Sequence, residues 1–88
     1  SELEWNDLYD VVSNYLSAFY NYINKPQFDL NHVEIRICIL IRLYFIPSEL
    51  AVLFNIKKQR VTNIRSRINK KLFNEDGTKG IDQRIRNL

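Results

Sequence analysis

At 88 residues, 45% apolar and 26% charged, the chain has the size of one small domain; five Phe, five Tyr and one Trp against two Gly and two Pro exclude a disordered or low-complexity segment. A lone cysteine excludes an internal disulfide framework and suits a reducing, cytoplasmic setting, and no run of about 18 uncharged apolar residues is present to cross a membrane, so no membrane contact by this domain is expected. The net charge of +3 conceals a segregation: residues 1–56 hold three Lys/Arg against seven Asp/Glu (−4), residues 57–88 hold ten against three (+7), and charge gathered at one end points to an anionic partner.

The opening segment, residues 1–29, is expected to hold one long helix. In "WNDLYDVVSNYLSAFYNYI" the sets Trp5/Val12/Phe19, Leu8/Tyr15/Tyr22 and Tyr9/Leu16/Ile23 each repeat every seven residues and together make a broad apolar stripe. A stripe this wide favours packing against the rest of the domain, with the tail of an upstream coiled coil or a dimer seam as the alternative. Asn24-Lys25-Pro26 ends the helix, because proline cannot continue it. With no signal peptide legible and no Met anywhere, the chain reads as a fragment excised from a larger protein.

Residues 30–73 are expected to form a core of three helices. "IRICILIRLYFI" has the β-branched and aromatic content of a buried strand, but its start is that of a helix: Asn31 suits the N-cap, Glu34 completes a capping box, and Leu30 and Ile35 occupy the staple positions. The run 32–46 is also too long for an ordinary strand, so a central helix is predicted, reaching solvent at Arg36 and Arg42. Cys38 reads as a small core hydrophobe and His32 as a first-turn residue with no partner at metal-ligand spacing. Pro47 opens a short helix, "PSELAVLF", with Leu50, Ala51, Leu53 and Phe54 available for burial and Glu49 at its positive end. "NIK" is a tight connection to the third helix, predicted over 57–72. Residues 74–88 follow as a polar turn, "NEDGTKG", and a short helix carrying Ile81, Ile85 and Leu88. The expected fold is therefore all-α: a small helical bundle containing a helix-turn-helix, with an added long N-terminal helix and a short C-terminal one.

The third helix carries the functional argument. Val61, Ile64, Ile68 and Leu72 share one narrow face, while Gln59, Thr62, Asn63, Ser66 and Lys70 lie opposite. One flank holds Arg60, Arg67 and Lys71, the other Lys58, Arg65 and Asn69. Such a helix docks inward through its apolar face, offers amides and hydroxyls to base edges in a DNA major groove, and sets its cations beside the phosphates. Seven basic residues without an acidic one between Lys57 and Leu72 repel one another, which a purely structural helix would temper with Glu.

"SELAVLFNIKKQRVTNIRSRINKKL" resembles the LuxR/NarL/FixJ-type helix-turn-helix of bacterial transcription regulators. Glu49, Leu50, Ala51, Phe54, Ile56, Val61, Ile68, Lys71 and Leu72 fall at that pattern's positions, and Leu30, Asn31 and Glu34 match its opening. The resemblance covers residues 30–72 and implies a four-helix DNA-binding domain whose third helix reads the major groove through the positions of Thr62, Asn63 and Ser66. The chain departs from the pattern at Tyr44, where the family has Gly, at Lys57 in place of a Ser cap, at Arg60 in place of Thr, and at Ile64, often His. The flanking segments look like the C-terminal domains of large sensor-regulators.

The function expected is sequence-specific binding of double-stranded DNA by a regulator domain acting as a homodimer, with a sensor or repeat domain upstream in the same parent chain. Lys57, Lys58, Gln59, Arg60, Thr62, Asn63, Arg65, Ser66, Arg67 and Lys70 are the expected DNA-binding residues. The alternatives are a degenerate helix-turn-helix serving protein interaction or dimerisation, and a sigma-factor-like promoter-binding region. The chain has no carboxylate pair on one face, no Cys/His/Asp set and no Gly-rich phosphate loop, so neither an enzyme nor a cofactor or metal site is expected.

Overall fold

The computed structural model of the chain describes residues 2–88, with side-chain surroundings from Glu4 onward, so residues 1–3 of the expected N-terminal segment lie outside those described side chains. The fold is all-α: α1 (Glu2–Tyr15), α2 (Ser17–Ile23), a 3-10 turn (Pro26–Phe28), α3 (His32–Arg42), α4 (Pro47–Phe54), α5 (Lys58–Phe73) and α6 (Ile81–Arg86). Its radius of gyration of 12.2 Å matches the value of about 12 Å expected for a compact chain of this length.

The long N-terminal helix is two helices. Leu16 leaves helical geometry (φ −128°, ψ 47°), although its N–H still bonds the Val12 carbonyl at 2.8 Å and Tyr20 N–H bonds the Leu16 carbonyl at 2.9 Å. The helix is interrupted at Leu16, and these two bonds hold the bend between its halves. The bend carries Phe19 and Ile23 into the core beside Val12, while Tyr15 is left 83% exposed. A heptad count along a straight helix cannot keep all three stripes inward once the axis turns.

α3 is the central helix, as the capping signals predicted. Glu34 N–H donates to Asn31 Oδ1 at 2.8 Å and Asn31 N–H donates to Glu34 Oε1 at 2.9 Å, closing the capping box. Ile37, Cys38, Ile39, Leu40 and Ile41 are buried in unbroken succession, which a helix permits only when neighbours surround it. Burial and the nearby Glu34 carboxylate both push the Cys38 thiol far up, leaving it protonated and inert. Arg36 and Arg42 are half-buried rather than free in solvent. Arg36 Nε donates to the Tyr9 hydroxyl at 2.8 Å, with its guanidinium 4.8 Å from the Trp5 ring, and Arg42 lies 5.9 Å from the Phe19 ring.

α3 stops at Arg42, earlier than the expected 46. Phe45 N–H bonds the Leu40 carbonyl and Tyr44 N–H the Ile41 carbonyl, both at 2.9 Å, the paired bonds of a Schellman cap. That cap demands a left-handed residue, and Tyr44 supplies it at φ 71°. A side chain there costs on the order of 1 kcal/mol relative to glycine. Arg86 of α6 holds the strained turn: its guanidinium lies 4.5 Å from the Tyr44 ring, and its Nε donates to the Ile41 carbonyl at 3.0 Å. The tyrosine thus supplies a stacking surface that glycine would lack.

Two contacts orient α5 on this base. The fully buried Glu34 carboxylate receives Lys71 Nζ at 2.8 Å through Oε1 and Arg67 Nε at 3.4 Å through Oε2. Burial alone would raise the Glu34 pKa, but the hydrogen bonds from Lys71 and Asn31 and the charges of Lys71 and Arg67 outweigh it and hold the carboxyl below its usual value. At the far end, Asn69, expected on a flank, is fully buried. Its Nδ2 donates to the Gly77 carbonyl at 3.0 Å, and its Oδ1 accepts from Arg84 at 3.3 Å. The polar turn is thereby tied to α5, and Ile81 and Ile85 of α6 complete the core.

Two outcomes follow. Because the folded carboxyl of Glu34 titrates below the unfolded one, its contribution is fully present above the ordinary carboxylate range and is lost as pH falls from that range through the lowered folded value. Glu34→Gln should therefore lower stability at pH 7 by about 2–3 kcal/mol and flatten the acid limb of the stability curve, read by urea melts from pH 7 to pH 3. Arg86→Ala should cost about 1–2 kcal/mol by the same measurement through loss of the Tyr44 stack and the Ile41 bond, and Tyr44→Gly should reduce that cost.

Candidate nucleic-acid interface

α4 and α5 are joined by three residues. Asn55 at φ 52° lets Ile56 N–H reach back to the Ala51 carbonyl at 3.0 Å, a second Schellman cap built on a residue type that tolerates the left-handed region. Ile46 N–H donates to the Glu49 carboxylate at 2.9 Å, securing the start of α4 as its acidic position predicted. Leu50 and Ala51 are buried and Phe54 half-buried, but Leu53, expected inward, is 58% exposed. An eight-residue helix has room for only one narrow inward stripe, and Leu53 falls outside it.

α5 runs from Lys58 to Phe73, one residue later at each end than expected, with Lys57 as a cap whose side chain makes no capping bond. Val61, Ile64, Ile68 and Leu72 are all buried, the face chosen by their spacing. The opposite side turns out to solvent: Gln59, Thr62 and Asn63 are exposed and Ser66 is half-buried. Gln59 Nε2 donates to Asn63 Oδ1 at 3.0 Å, an i,i+4 amide pair. The pair leaves the Gln59 carbonyl as an outward acceptor and the Asn63 amide as an outward donor, the two functions that pair with the N6 and N7 edge of adenine. A shallow groove lined by Asn55, Ile56, Lys57, Gln59, Arg60 and Asn63 runs across this end of the helix pair.

The basic residues fall into two groups that the sequence does not separate. Arg65 pairs with Asp82 at 2.9 Å and its side chain is only 12% exposed; Arg67 and Lys71 share Glu34; Lys70 lies 3.4 Å from Asp76. The run of seven charges is therefore not uncompensated, because acids distant in sequence fold against its C-terminal half. Lys57, Lys58 and Arg60 are exposed and make no ion pair among the described residues. The free positive charge is concentrated at the N-terminal end of α5, where backbone N–H groups also point toward an approaching anion.

No family model, curated protein or solved structure matches the chain. The site's meaning rests on its own geometry. Among the described residues no group of three His, Cys, Asp or Glu side chains is arranged to hold a metal, and no helix is long and apolar enough to cross a membrane.

The division between bound and free cations is directly measurable. Arg65→Ala should lower stability by about 1 kcal/mol, since it removes a largely desolvated charge-assisted bond to Asp82. Arg60→Ala should leave stability within about 0.5 kcal/mol, as expected of an exposed residue without a partner. Thermal melts of the two variants side by side test the assignment.

Proposed function

We propose that residues 30–73 are a sequence-specific DNA-binding helix-turn-helix of the LuxR/NarL/FixJ type, with α5 lying in the major groove. The observation that carries this reading is the exposed Gln59–Asn63 amide pair with Thr62 beside it, bordered by three cations that have no acidic partner among the described residues. Ion pairing with an acidic protein has no need of an amide and hydroxyl face, whereas base edges are read by those groups. Phosphate contacts are assigned to Lys57, Lys58 and Arg60, with the exposed Arg67 and Lys70 as outer contacts. Arg65, held by Asp82, acts in this reading as a brace for the helix. The Schellman turn at Tyr44, at the position where the family pattern has glycine, adds support, because a left-handed residue is what that position requires.

One domain of this size offers roughly 600–1,000 Å² to DNA, so useful affinity calls for two half-sites and hence a homodimer of the parent protein. Transcription regulation in the cytoplasm, with a sensor or repeat domain upstream, is the setting this reading implies. A degenerate helix-turn-helix that binds protein instead is favoured by one observation: four of the six α5 cations already lie against acidic groups of the chain.

The two readings separate in a titration. The three unpaired cations of one domain give a salt slope of about −2.7, so duplex affinity should fall at least roughly 40-fold between 50 and 200 mM salt, and more steeply as Arg67, Lys70 and a second subunit add contacts. A protein-binding module shows no duplex affinity at either concentration. On a site obtained by randomised selection, Asn63→Ala should relax preference at one base position, costing about 1–3 kcal/mol there, while Lys58→Ala should weaken every sequence alike.

A further inference from the structure

On a different part of the molecule, an apolar groove of about 370 Å³ opens between α1, the α3–α4 turn and α4, lined by Glu4, Trp5, Leu8, Leu40, Phe45 and Leu53. Its apolar character continues along α1, where Leu8, Val11 and Tyr15 stand at i, i+3 and i+7, and Val11 and Tyr15 are 53% and 83% exposed. Ile46, the N-cap of α4, precedes Leu53 by seven residues and is 52% exposed. Rows at this spacing are what an accompanying helix packs against.

The charge around the groove selects the partner. Residues 1–24 contain Glu2, Glu4, Asp7 and Asp10 and no Lys or Arg. Exposed Glu49 stands one turn before Leu53 on the opposite wall. The cation nearest Trp5 is Arg36, stacked on its ring and bonded to Tyr9. A second copy seated symmetrically here would bring like acidic edges together, which disfavours it. We infer that this groove is a docking surface for a partner helix that is amphipathic and basic, laying an apolar stripe along Leu8, Val11 and Leu53 and its cations against Asp7 and Glu49. The inference stands apart from the DNA reading, since the groove shares no residue with the α5 face.

Trp5 is the only tryptophan and lines the groove, so its fluorescence reports occupancy. The probe is a synthetic helical peptide of about 18 residues, roughly 27 Å long, with Leu at i, i+3, i+4 and i+7, Lys elsewhere and no aromatic residue. It is compared with a twin carrying Glu for Lys and with a scramble of the same Leu/Lys composition. The Leu/Lys peptide should shift Trp5 emission with saturable, salt-sensitive binding, and the twin and the scramble should bind at least tenfold more weakly. Leu53→Ser should weaken the Leu/Lys peptide at least tenfold, while Val52→Ser, 80% exposed on the same helix but outside the groove, should leave it unchanged. No response to the Leu/Lys peptide, equal binding of the twin or the scramble, or indifference to Leu53→Ser would overturn the assignment. Self-association of the chain in sedimentation that Leu53→Ser abolishes would overturn it too, assigning the groove to a second copy.

Discussion

The buried carboxylate of Glu34 is the interaction on which the arrangement of the helices depends. A single side chain closes the start of α3 through Asn31 and receives two cations from the last turns of α5. Placing an ionised group in the core is costly unless its oxygens are satisfied, and here each oxygen has at least one donor. The same requirement works in reverse on α5. Lys71 and Arg67 must lie over the start of α3, which sets the rotation of α5 about its axis and therefore which residues it turns outward. Hydrophobic burial of Val61, Ile64, Ile68 and Leu72 supplies most of the driving force, but apolar contacts tolerate small rotations; directional bonds to one carboxylate do not.

The C-terminal segment performs a comparable task at the other end. Asn69 and Arg84 fasten the glycine-containing turn, Asp82 takes up Arg65, and Arg86 covers the left-handed Tyr44 at the α3–α4 junction. The helix pair α4–α5 is thus held by groups contributed from both sides of it in sequence. This bracing has an electrostatic consequence. The acids available to the domain's basic half are spent on the rear and C-terminal end of α5, leaving its N-terminal end with the unpaired charge and the polar face together. The groove beside the acidic α1 shares no lining residue with the groove at the N-terminal end of α5.

Much of this was legible in local patterns. The capping box at Asn31 and Glu34, the proline starting α4, the inward face of α5 and the apolar spacing of α6 all depend on residues within about one or two turns of each other. The apolar run 35–41 was ambiguous between strand and helix, and its cap decided correctly. The bend at Leu16 was not legible, because no glycine or proline marks it. Leu53 and Tyr15 were expected inside because periodicity says which residues share a face, not how much of that face its neighbours cover.

By itself the sequence determined that the chain is helical, where most helices begin, and which side of α5 is apolar, since these follow from propensity and near-neighbour spacing. Only the tertiary structure decided which cations of α5 remain free. Glu34 lies 33 and 37 residues from the cations it binds, and Asp82 lies 17 from Arg65. Ion pairing depends on distance through space, and that distance exists only after the helices have packed.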